Sequence, residues 1–180
     1  MRVVSTVVLT GLLCPALASA QAPAVSSQNA VSDTVRQFLV RDSKNLVASA
    51  ELMPADKYSY RPTPAQMSFG QLVVHVVQTN EFLCSAIAGT PKAPPMNLKE
   101  TDPKDTLVKA IKDSFDHCTA ALAQVNDSQL GDAIAMGPQT SMPRAFMMIT
   151  IATDWADHYS TAASYRRLNG ILPPSAQPAR

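Results

Sequence analysis

Glycine is scarce in this chain, six residues in 180, and aromatic side chains make up only 6% of it. That scarcity weighs against a sheet protein, while plentiful alanine, leucine and methionine favour helices. The few glycines are scattered, so there is no Gly-rich phosphate loop. Neither a G-x-S-x-G nucleophile elbow nor a Cys-x-x-Cys pair occurs. Charge of one sign is missing as well: acids and bases are interspersed and the net charge is +1. With no basic stripe, nucleic acid is not an expected partner, and nothing argues for electrostatic attachment to a membrane. No apolar run reaches the roughly 20 residues that would span a bilayer. No internal repeat is present.

What the chain does have begins at its amino terminus. Met1-Arg2, the apolar run Val3 to Leu13 and the small-residue pattern Ala18-Ser19-Ala20 read together as a secretory signal peptide, residues 1–20. Cys14 raises the alternative of a lipoprotein, but Leu13 stands where a small residue would precede a lipidated cysteine. The expected mature protein is therefore periplasmic or secreted. Residues 21–29 and 175–180 read as flexible tails, and 30–174 as one domain.

Four amphipathic helices fit that domain. The first runs from about Ala30 to Glu51, with Val31, Val35, Phe38, Leu39, Leu46 and Ala50 on its apolar face and Pro54 behind it. The second opens at Ser68, with Gln71 completing a capping box, and closes at Gly89. Pro91, Pro94 and Pro95 then hold an extended linker. Asp102-Pro103 reads as cap and first residue of the third helix, which ends near Val125. Ser141-Met142-Pro143 opens the fourth by the same logic, and Asn169-Gly170 stops it.

Cys84 lies sixteen residues beyond Ser68, and Cys118 sixteen beyond Asp102. At ~1.5 Å per residue both sit roughly 24 Å down their helices, level with each other only if helices two and three run parallel. A tight hairpin would offset them beyond the ~7 Å that a disulfide tolerates. The thirteen steps from Gly89 to Asp102 reach about 43 Å, enough to climb the bundle. A bridge in an exported protein and two separate buried thiols are the two readings. The first makes helices 2 and 3 of an all-α four-helix bundle parallel, joined by a long crossover.

The chemistry concentrates in Asp154-Trp155-Ala156-Asp157-His158. Asp154 and His158 are four apart and share a helix face with Met147, Ile151, Ala162 and Tyr165. His75 shares the apolar face of helix two with Leu72, Val76 and Leu83. A carboxylate and an imidazole turned toward a core need partners, and a divalent metal held by His75, Asp154 and His158 supplies one. The bland readings are a hydrogen-bonded core histidine at 75 and an Asp154–His158 pair without metal. His117 reads as a surface residue, Asp157 as a solvated carboxylate, and Tyr165 as packing with a bonded hydroxyl. Asp42 falls on the inner side of helix one, Met147 and Met148 read as core filler, and Arg166 and Arg167 complement a helix dipole.

The stretches Tyr58-Ser59-Tyr60-Arg61-Pro62-Thr63-Pro64, Ser68-Phe69-Gly70-Gln71-Leu72 with His75, and Asp154 to Tyr159 followed by Tyr165 to Pro174 resemble a DinB-like domain, over roughly Val31 to Pro174. The resemblance implies an up-down-down-up four-helix bundle. It also implies nickel or zinc bound by three histidines, one on the second helix and an H-x-x-x-H pair on the fourth. His75 and His158 match two of them, and Asp154 stands where the third is usual. Relatives include thiol-dependent transferases and isomerases, and many are labelled metal-dependent hydrolases.

The expectation is an exported bundle with a divalent-metal site, Zn or Ni before Fe or Mn. It would act as a metal-dependent hydrolase or thiol-dependent transferase. A non-catalytic envelope protein that binds a metal or small ligand, and a structural bundle with a degenerate site, are the alternatives. A small-molecule ligand or substrate is the expected partner, and a homodimer is compatible with the sequence.

Overall fold

The apolar positions of the first predicted helix recur at steps of three and four, and in the computed structural model they form a 23-residue helix. The structure describes residues 28–90 and 97–178; the expected signal peptide and the Pro91–Pro95 linker lie outside them. Helix α1, Ala30–Leu52, buries Val35, Leu39, Leu46 and Ala50. Met53 turns extended in front of Pro54 and ends it, as the residue before a proline tends to do. Two residues depart from the expected face: Val31 and Phe38 are 40% and 38% exposed and line an open apolar groove with Ile149 of the last helix.

Helix α2, Phe69–Ala88, opens on the expected capping box. Ser68 Oγ accepts from the Gln71 amide, and Gln71 Oε1 accepts from the Ser68 amide. It closes at Gly89 in the left-handed conformation, φ 70°. Helix α3 spans Lys104–Ala123 and begins one residue later than expected. Asp102 does not cap it, because its carboxylate accepts from the Lys99 amide and closes the preceding turn. The expected start of the fourth helix is also corrected. Thr140–Pro143 pairs antiparallel with Ala133–Gly137 as a two-stranded hairpin, β1 and β2, and helix α4 runs Arg144–Leu168. Carbonyls of Asp132 and Leu130, not a Ser141 side chain, receive the first amides of α4.

Cross-helix bonds fix the topology. Asn80 meets Ser114, and Cys84 is disulfide-bonded to Cys118 with Cα atoms 5.1 Å apart, so the offset is constant and α2 and α3 are parallel. Trp155 meets Asn80 while Tyr165 meets Met67, so α4 runs antiparallel to α2. Arg36 near the start of α1 reaches the carbonyls of Leu122 and Val125, and Lys104 reaches that of Glu51. These bonds set α1 against α3 and satisfy carbonyls that the two helix ends leave open. With α1 beside α4 as well, the result is the expected up-down-down-up bundle.

Both flanks are tied in. Asp127 accepts from the amides of Val31 and Ser32 and from Ser32 Oγ, at 2.9, 2.8 and 2.7 Å, capping α1 from the turn after α3. Arg166 is fully buried and donates to the carbonyls of Leu172 and Ser49, so it secures the chain beyond α4 as well as ending the helix. The segment expected as a tail from 175 begins in a short 3-10 turn, Pro174–Ala176, where the Ser175 amide donates to the Tyr159 hydroxyl. Among the described residues no helix is long and apolar enough to cross a membrane.

Candidate metal centre

Trp155 sets the position of the site. Its indole is fully buried against Phe115, and its Nε1 donates to Asn80 Oδ1 at 2.7 Å, locking the rotation of α4 against α2. Asp154 and His158 flank it on the side that faces α2. His158 lies seven residues before Tyr165 and His75 eight after Met67, and the Tyr165 hydroxyl donates to the Met67 carbonyl. The two histidines are therefore level.

The rings of His75 and His158 stand edge to face, 83° apart in plane with centroids 4.8 Å apart. One ligand atom from each of His75, Asp154 and His158 lies within 4.8 Å of the others. His158 Nε2 is 3.2 Å from Asp154 Oδ1, within ion-pair distance. Even so, that nitrogen is buried with no geometrically acceptable hydrogen bond. Buried polar atoms are nearly always satisfied, so a nitrogen left this way beside a carboxylate and a second imidazole fits a cation. Two neutral imidazoles and one carboxylate form a mixed donor set that leaves open positions for ligands from solution.

The surroundings are polar and open. A cleft of about 460 Å³ lies against His75, lined among others by Arg61, Gln71, Gln78 and Glu100. Gly70 draws its rims together: its amide donates to the Tyr58 carbonyl at 2.8 Å, and a Cβ there would lie 2.7 Å from the Glu100 carbonyl oxygen. Any side chain at this position would push the two connections away from the first turn of α2.

Other candidates fall elsewhere. Asp42 is buried but is held by the Arg41 guanidinium at 2.8 Å, outside the cluster. Asp157 is 80% exposed and only 3.9 Å from His158 Nδ1, as befits a solvated carboxylate. His117 is less exposed than expected, since its Nε2 sits 3.1 Å from Ser85 Oγ across α2 and α3. Tyr165, Met147 and Met148 are buried as expected. The cleft residues Gln78 and Glu100 had no pattern to announce them, and Arg61 counted only toward the family resemblance.

Known structures share the architecture. A DinB-like protein from Bacillus subtilis superposes with a TM-score of 0.65 at 22% identity, covering 81% of this chain and 99% of its own. One from Bacillus cereus gives 0.64 at 15%, covering 81% and 97%. A conserved protein from Enterococcus faecalis gives 0.63 at 18%, covering 77% and 96%. No curated protein matches the sequence significantly. The DinB superfamily profile matches residues 39–162, well over half of the chain, and this protein belongs to that superfamily.

Proposed function

We propose that His75, Asp154 and His158 hold one divalent ion, zinc or nickel in preference to iron or manganese, and that the protein acts as an exported metal-dependent hydrolase or thiol-dependent transferase on a small molecule. The observation that carries this reading is the buried, unbonded His158 Nε2 within a three-residue donor cluster beside an open cleft. Bound there, the ion would act as a Lewis acid toward a substrate atom, or acidify a water or thiol. The chain's own part is to fix the donors. Asn80 and Trp155 set the rotation of α4, and the mixed donor set leaves room for a ligand from the cleft. The Cys84–Cys118 bridge supports an oxidising compartment. The segment 1–20 supports export by its sequence alone.

Elemental analysis of protein purified without a polyhistidine tag tests the site. One zinc or nickel per chain is expected, and none after His158→Ala. Turnover of an ester, amide or thiol panel by the loaded protein is expected to separate an enzyme from a binding protein. A chain that neither carries nor takes up a divalent ion would leave Asp154 and His158 as a plain ion pair and end the proposal.

A further inference from the structure

Arg61 lines the cleft that opens on His75, and among the described residues its guanidinium makes no hydrogen bond or ion pair. Its backbone, by contrast, is held on both sides. Tyr60 carries its ring edge to face with Tyr165, centroids 6.0 Å apart, and its carbonyl accepts from the Phe69 amide. Pro62 follows and restricts Arg61 itself.

The charge of the cleft follows. A divalent ion would meet a single carboxylate ligand, Asp154. Arg61 is opposed by Glu100, whose carboxylate is engaged at 3.5 Å by Gln71 Nε2 on the same wall. Gln71 is in turn oriented by its capping-box bond to Ser68. With the exposed Asp157 carboxylate 3.9 Å from His158 Nδ1 counted as well, the charges around the loaded site balance, and the pull on an anion comes from Arg61 itself, a planar five-donor group suited to a carboxylate.

We propose that Arg61 is a substrate-recognition residue: the ligand of this cleft is a small molecule carrying a carboxylate that pairs with Arg61 while a second polar group reaches the metal position. This inference rests on the metal reading, which it deepens by naming the substrate class.

Cobalt-loaded protein titrated with malonate, succinate and glutarate, and with the matching monoacids propionate, butyrate and valerate, tests it through the visible cobalt spectrum. At the best-fitting length the dicarboxylate should bind about threefold to fivefold more tightly than its monoacid, as a solvent-accessible charge-assisted pair allows. Arg61→Met should erase that preference while cobalt still binds one per chain, and Arg61→Gln, closer in shape, should do the same. A wild-type protein with no preference at any length, or a variant that keeps the preference, overturns the role of Arg61 and leaves the metal site standing. Failure of the wild-type chain to bind cobalt at all overturns the metal reading and this proposal with it.

Discussion

Asn80 and Trp155 meet at the centre of the bundle: the indole Nε1 donates to the amide oxygen at 2.7 Å, while Asn80 Nδ2 donates to Ser114 Oγ at 3.0 Å. One buried amide thus joins α2, α3 and α4, and it does so beside the residues that flank Trp155 on α4. A core polar network that is fully satisfied fixes one arrangement, and one that loses a member is costly.

Asn80→Ala is therefore expected to lower stability by about 2–3 kcal/mol, because the Trp155 N–H is left buried without an acceptor. The same change should weaken metal uptake, since the rotation of α4 aims Asp154 and His158. Urea unfolding and a metal titration on the same variant check both. Unchanged unfolding would show that this network does not hold the helices in register.

The resemblance read from the sequence implies a third histidine at the position that Asp154 holds here. Imidazole suits zinc and nickel better than a carboxylate does, whereas carboxylate suits manganese. Asp154→His should tighten zinc binding on the order of tenfold, about 1.4 kcal/mol, and weaken manganese binding. Competition against a chromophoric chelator measures both. A loss of zinc affinity would place Asp154 in a role other than ligand.

Much of the bundle was legible in the sequence because its signals are local. Ser68 and Gln71 cap, Gly89 stops, Pro54 ends, and the near-equal distance of Cys84 and Cys118 from the starts of their helices gives the parallel α2–α3 pair. The hairpin was not legible. Its two strands are short and largely exposed, with Ile134 the buried side chain, so they lack the alternation that marks a strand. Asp102 misled for a physical reason: the same carboxylate can cap a helix or close the turn before it, and here it does the second. The site residues were found as types on faces, but their level was not. Counting from Ser68 and Gly170 as a flush end leaves His75 and His158 about 8 Å apart along the axis. The Tyr165–Met67 bond shows that α4 overhangs the start of α2, and the overhang removes the gap. Arg61 and Glu100 join the cleft through tertiary closure at Gly70, which no local pattern reports.

The Cys84–Cys118 bridge closes a loop with a sequence separation of 34. In the chain-entropy account a loop of that size contributes on the order of 3–4 kcal/mol by restricting the unfolded chain. Thiol titration of unfolded, non-reduced protein produced without residues 1–20, and so without Cys14, should find essentially no free thiol. The Cys84→Ala, Cys118→Ala double variant should unfold at correspondingly lower urea. Two free thiols in that protein would remove the bridge and, with it, the argument for an oxidising compartment.

Asp127 gives the molecule an acid-sensitive clasp between its first helix and the turn after α3. The Ser32 hydroxyl, the Ser32 and Val31 amides and the Arg36 charge hold its carboxyl below the ordinary aspartate range. Because the folded state favours the ionised form more than the unfolded state does, this stabilisation is present in full above the unfolded value of about 4. It is lost as pH falls through the lower folded value. Asp127→Ala should therefore melt below the wild type at pH 7, and the difference between the two should narrow as the pH is taken down from 4. Thermal melts of both proteins at pH 7, 5, 4 and 3 follow the trend. A gap that stays constant across that series would mean that the charge on Asp127 plays no part in holding the start of α1.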